Sequence, residues 1–219
     1  MLFSFESFAT LNHWLGAFWR LIQLNLLWML MTLMGLVVLG FGPASYALAS
    51  CLDGWVRRGE GPPTTATFFR RAREQGFRPV VMGWVLLGAG TVIVVNLLSL
   101  SDWYLRVANL VALAALVLIG AYVFFVMAAT EVVGARRQIV TALLLGIGSL
   151  HWSVLGATGV ALAYLAMFRL AMPLLLLLGA VLPALLVALI LRSAWRDLPR
   201  DPEAVRTDAP APLTKGVPA

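Results

Sequence analysis

Long uncharged, apolar stretches alternate along this chain with short polar segments that hold most of its arginines. Four stretches, at 21–41, 79–101, 107–130 and 170–191, reach the roughly 20 residues a helix needs to cross about 30 Å of hydrocarbon. A fifth lies in the run 138–168, which is too long for one ordinary span. Its second half, 152–168, is predicted as a membrane helix. Its first half, 135–150, is predicted as an amphipathic or partly inserted helix that opens at Arg136 and Arg137.

Residues 43–58 fit two readings. Gly40 and Gly42 break the preceding helix, and Pro43 suits the first turn of the next because it has no N–H to leave unpaired. The segment is short and rich in small residues, Ser45 among them. It forms either a sixth span returning to the cytoplasm, the reading preferred here, or a re-entrant helix packed against the bundle. In the second case five spans remain and the N-terminus lies outside. The predicted fold class is therefore all-α: a polytopic transmembrane helical bundle of six spans, or five plus a re-entrant helix, with short amphipathic interfacial helices. Residues 1–198 form its single domain, and the polar, Pro-rich residues 199–219 are expected to be a disordered cytoplasmic tail.

Between these apolar stretches, residues 64–76 (TTATFFRRAREQG) predict an amphipathic helix with Thr64 as N-cap. Phe68 and Phe69 are expected at the membrane interface, with Arg70, Arg71 and Arg73 meeting anionic lipid headgroups or a protein partner.

Composition supports a membrane setting. Of the 219 residues, 61% are hydrophobic and 12% charged, and the mean hydropathy is +0.91. Soluble domains carry roughly twice that charged fraction, so the apolar surface is expected to face lipid. The net charge of +6 then reflects retention of cytoplasmic loops by Arg and Lys, not nucleic-acid binding. With six spans, fourteen of the sixteen Lys and Arg residues fall inside, only Arg106 and Arg169 fall outside, and the C-terminus is cytoplasmic. A multi-pass protein of the cell membrane follows.

The chain offers little chemistry for catalysis. Its one cysteine, Cys51, excludes an intrachain disulfide and a cysteine-based metal cluster. Leu48-Ala49-Ser50-Cys51 has the look of a lipoprotein cleavage box, but it follows an uncharged run from 21 to 52 with no basic N-terminus, so helix packing is the better reading. His13 and His151 lack partners at metal-ligand spacing. No nucleophile elbow, HExxH, phosphate loop or paired acids occur, so no enzyme, cofactor or metal is expected. The polar positions that stand out are Asn25 and Asn96, whose amides need partners in lipid and favour helix association. Asp53 stands near bases at a helix end, where a local salt bridge is expected.

Several segments resemble the YesL-like family of bacterial membrane proteins of unknown function. They are LNLLWML at 24–30, FGPASYAL at 41–48, WVRRGEG at 55–61, TFFRRAREQGFR at 67–78 and ARRQIVTALLLGIGSLHWSVL at 135–155. The resemblance implies a multi-spanning protein tied to carbohydrate utilisation and ABC-type sugar uptake, with no catalytic or ligand residue to carry over. Where the family's turn resembles Pro-Ala-Thr, this chain has Pro43-Ala44-Ser45. The leading expectation is an accessory or interaction protein; a small-solute channel or transporter is the alternative.

Overall fold

The computed structural model describes residues 5–61, 63–130 and 134–196. These residues form the helices α1 (Phe5–Met34), α2 (Phe41–Val56), α3 (Thr65–Glu74), α4 (Arg78–Ser99), α5 (Trp103–Ala129), α6 (Ala135–Gly148), α7 (Leu150–Leu170), α8 (Met172–Leu178) and α9 (Val181–Arg196), with no strand among them. The proposed tail at 199–219 lies outside the described residues. Local sequence sets several helix starts. Thr64 caps α3 by accepting from the Thr67 amide at 3.2 Å, and Asp102 caps α5 by accepting from the Leu105 amide at 3.1 Å. Pro79 occupies the first turn of α4, where its missing N–H costs nothing.

The span count is lower than the preferred reading of the sequence. Within α1, α4, α5 and α7 lie four segments long and apolar enough to cross a membrane, and α8 with α9 make a fifth if their 50° bend sits within one span. The chain is thus a helical, multi-pass membrane bundle of four or five candidate spans, not six. The segment expected to be the sixth, α2, has 16 residues and reaches about 24 Å at 1.5 Å per residue, short of the hydrocarbon thickness.

Instead, α2 is the hub of the bundle. From Gly42 to Gly54 every residue except Ser45 is buried, and α1, α3, α4, α5 and α9 pack around it. Its start lies against the start of α4. A Cβ on Gly42 would run into the Pro79 carbonyl, and one on Gly83 would meet the Gly42 Cα at 3.0 Å. The two backbones therefore touch where both residues lack side chains.

The turn from α1 into α2 lies at the same end of α4. Its amides are satisfied internally, with Gly35 N donating to Met31 O, Val37 N to Thr32 O and Leu39 N to Gly35 O. Trp84 Nε1, on α4, donates to Val38 O at 2.9 Å. Closing this turn places Leu36 and Val37 at φ 52° and 64°, a left-handed conformation that costs of order 1–3 kcal/mol per non-glycine residue.

Other helices have few protein neighbours. No residue of α7 is buried. In α4 burial is confined to residues up to Leu86, and in α5 to Tyr122–Met127, so the far part of this hairpin packs mainly on itself. Tyr122 ties α5 to the α6–α7 junction through hydroxyl contacts with Ser149 (3.0 Å) and Ser153 (2.6 Å).

Candidate functional site

The densest polar cluster lies where α2 meets α3. Asp53 is 2% exposed, and Arg57, one turn on, grips it side-on with one edge of the guanidinium: Nε to Oδ1 at 2.7 Å and Nη2 to Oδ2 at 2.8 Å. The expected local salt bridge is present, but it is only the first link of a chain. Arg58 Nε lies 3.6 Å from Asp53 Oδ2, and Arg58 Nη1 lies 3.1 Å from Glu60 Oε1. Glu60 Oε2 takes Arg71 Nη2 at 2.7 Å, and Arg71 Nη1 donates to Ser50 Oγ at 2.7 Å. Three guanidiniums and two carboxylates thus run in series from the end of α2 to the middle of α3. A carboxylate as buried as Asp53 is tolerable only because it is paired and hydrogen-bonded.

The helical period of α3 explains which arginine joins this chain. Phe68, Arg71, Ala72 and Gln75 fall at i, i+3, i+4 and i+7, one face of a helix. Phe68 and Ala72 on that face are buried against the core. Arg71 is carried inward with them to 13% side-chain exposure, while Arg70 and Arg73 stay exposed. Two expectations are corrected here. Phe68 packs inside the protein and not at the lipid interface, with Phe69 stacked edge-on to it, and Arg71 is drawn into the α2–α3 contact by Ser50 and Glu60 and is not exposed as Arg70 and Arg73 are.

A second polar constellation centres on Asn25, which is 1% exposed. Its Nδ2 donates to Leu176 O at 2.8 Å, and its Oδ1 accepts from Ala180 N at 2.9 Å and Val181 N at 3.1 Å. The break between α8 and α9 frees those backbone groups, and in lipid each needs a partner. Tyr164 supplies another by donating to Gly179 O. Asn25 therefore acts as the structural clamp that its amide chemistry predicts. Asn96 is half-buried, with its Nδ2 3.5 Å from Asn109 Oδ1, a weak link across the α4–α5 hairpin.

Of the turn residues, Gly42 and Pro43 are buried in the α2–α4 contact. Ser45 accepts from Trp28 Nε1 at 3.1 Å. That pair borders a cavity of about 290 Å³ between α1, α2, α5 and α9, walled by Trp28, Phe41, Phe124, Phe125, Ala180 and Ala184 among others. Ser45 carries the one polar side chain in the wall besides the Trp28 indole. Cys51 is buried within α2. His151 is exposed beside Trp152. Among the described residues, no group of three His, Cys, Asp or Glu is placed to hold a metal ion.

Sequence reasoning missed Ser50, Arg58 and Glu60 as members of the ionic chain. The signal for Arg71 was available in the 68/71/72/75 stripe. None was available for Glu60, whose position depends on how the loop after α2 folds back.

Residues 21–97 match a family model described as "Protein of unknown function, DUF624". Two curated proteins of Bacillus subtilis (strain 168) are similar. The uncharacterized protein YteU is 35% identical over 78 residues, which cover 36% of this chain and 35% of that protein. The uncharacterized protein YesL is 33% identical over 79 residues, or 36% of this chain and 38% of that protein. The aligned part is thus little more than a third of the length of either relative. No solved structure matches the chain. The expected likeness at 135–155 falls outside the matched segment, whereas Asn25, Gly42 and the whole Asp53–Arg71 ionic chain fall inside it. Residues 21–97, from within α1 to near the end of α4, are thus similar to a family of unknown function, and over about a third of its length the chain is similar to YteU and YesL.

Proposed function

We propose that this protein is a non-enzymatic accessory protein of the cell membrane that docks a partner through α3. One observation carries the reading. Phe68 and the Arg71–Ser50 and Arg71–Glu60 contacts clamp α3 to the hub helix, leaving Arg70 and Arg73 exposed and in no ion pair with a described residue. A rigid helix that presents unpaired cations suits an acidic partner surface. The cavity beside Ser45 is apolar, unlike the polar midplane site a solute transporter uses, which favours docking over transport. The family resemblance suggests an ABC-type sugar uptake system as the partner.

We also propose a five-span orientation. The end of α1 and the start of α4 lie together at one end of the bundle, so if α1 crosses, α2 does not. With the Arg57–Arg78 segment inside, as its six bases favour, the N-terminus is outside and the C-terminus cytoplasmic. Arg20 then joins Arg106 and Arg169 outside, and thirteen of sixteen bases remain inside.

The test is co-purification of an ABC-type sugar permease with the wild-type chain and its loss with Arg70→Gln/Arg73→Gln. Proton-coupled sugar uptake by the purified protein alone in liposomes would overturn the accessory reading. For orientation, cysteine at Gly61 in a Cys51→Ser background is expected to resist impermeant thiol reagents in intact cells.

A further inference from the structure

The ionic chain contains a defect that a simple staple does not explain. Arg71 Nε is buried and has no hydrogen-bond partner, although Nη1 and Nη2 of the same guanidinium are both engaged. Buried donors are nearly always paired, and an orphan on a charged group is costly. Nε and Nη2 form one edge of the guanidinium fork, the edge that binds planar oxyanions with two parallel bonds. Glu60 uses only half of that edge. Its Oε2 lies on Nη2, and its Oε1 is drawn away to Arg58 Nη1 at 3.1 Å. Held in this position, neither oxygen of Glu60 meets Arg71 Nε.

The seat of this carboxylate is otherwise well made. A Cβ on Gly54 would lie 2.5 Å from Glu60 Oε2 and would push the carboxylate aside, so glycine there lets it sit close against α2. Glu60 N donates to Gly54 O at 3.0 Å. The loop that delivers the carboxylate is exposed and runs between Gly59, at φ +67°, and Gly61, where an added Cβ would meet nothing within 4 Å.

We propose that Arg58, Arg71 and Gly54 form a phosphate-binding cradle in which Glu60 is a built-in stand-in for the ligand. A phosphate group can set two oxygens on Arg71 Nε and Nη2 and turn a third toward Arg58. Swinging Glu60 out on its flanking glycines opens the seat. The phosphate comes either from a lipid headgroup or from free phosphate, since the chemistry recognised is the same. This inference stands apart from α3 docking, because Arg70 and Arg73 take no part in it.

The experiment uses the full chain in nanodiscs of phosphatidylcholine, with thermal unfolding as the readout. Glu60→Ala alone is expected to lower the unfolding midpoint, because it leaves Arg58 and Arg71 without their shared anion. Millimolar inorganic phosphate, or phosphatidic acid in the disc, is then expected to restore most of the loss. Neither should restore it in Glu60→Ala/Arg71→Gln. Directly measured phosphate binding should be about tenfold tighter in Glu60→Ala than in the wild type, equivalent to removing one competing anion. Rescue by phosphatidic acid alone assigns the ligand to the headgroup, and rescue by inorganic phosphate shows that the cradle opens to water. No rescue by either source, or equal rescue of the double variant, would show that Glu60 is only a staple and overturn the proposal.

Discussion

Helices α2 and α7 are both apolar and rich in small residues, yet they end in opposite surroundings. In α2 nearly every position is buried by protein, and in α7 none is. The longer of the two, α7, is the one with the length to cross a membrane. Hydrophobicity therefore says that a segment avoids water but not whether lipid or protein replaces it. What separates these two is the position of the charges and the small residues. α2 carries a carboxylate that must be paired and a glycine against which another backbone lies. The polar side chains of α7 that face the bundle meet neutral groups, as Tyr164 does at Gly179 and Ser153 at Tyr122.

The largest expected effect tests the tightest contact. Gly42→Leu places a branched side chain where the Pro79 carbonyl and the Val80 Cα already lie, and α2 cannot move without disturbing all its neighbours. Loss of the folded, monodisperse protein in detergent is expected. Gly159→Leu in α7, with nothing within 4 Å of its Cβ position, should fold normally. Equal behaviour of the two variants would erase the distinction between hub and periphery.

Next comes the charge buried in α2. Asp53→Leu strips the bidentate partner from Arg57 and the weaker one from Arg58. Breaking a fully buried pair costs about 3–5 kcal/mol, and the partial exposure of both arginines puts the expected loss near or below the lower bound. Chemical unfolding in mixed micelles would measure it. A neutral outcome would mean that water already reaches Asp53.

These two sites show how much was legible in the sequence. The all-helical membrane class and three of the spans followed from run length alone, α7 came from splitting a longer run, and the stretch 170–191 is broken by the 50° bend between α8 and α9. Asn25, Gly42, Pro43 and Asp53 stood out because an amide, a carboxylate and a Gly-Pro break are all conspicuous in apolar sequence, and each has a structural task. The sixth span failed because residues 43–58 read the same whether lipid or protein covers them. Glu60 was invisible because a loop between two glycines carries no period, and only the folded chain shows where its carboxylate returns. Arg71 was readable from its place in the Phe68 stripe, but charge obscured it.

A smaller effect is expected at the α8–α9 break. Asn25→Leu leaves Leu176 O, Ala180 N and Val181 N without their shared side-chain partner. An unmet buried group costs about 1–3 kcal/mol, and some of these groups can be met again if the helix closes its bend. Asn96→Leu loses one 3.5 Å contact and should cost less than Asn25→Leu. The reverse order in detergent melting would place the functional strain in the α4–α5 hairpin.

The smallest effect comes from α7 and depends on what replaces water around it. Leu52 in α2 is 0% exposed, whereas Leu162 in α7 is 61% exposed to the surroundings of the bundle. Leu52→Ala opens a cavity among packed neighbours, and such truncations cost about 2–5 kcal/mol. Leu162→Ala opens none. In a bilayer its side chain leaves one apolar medium for another in the folded and the unfolded-but-inserted states alike, so no hydrophobic term distinguishes them. The expected change is within about 0.5 kcal/mol, the range of substitutions away from packed features. Paired unfolding measurements on Leu52→Ala and Leu162→Ala in one lipid mixture would read the difference directly. A cost at Leu162 approaching that at Leu52 would mean that α7 is covered by protein in the membrane, a second copy or a partner, and the contrast between the two helices would then hold only for the isolated chain.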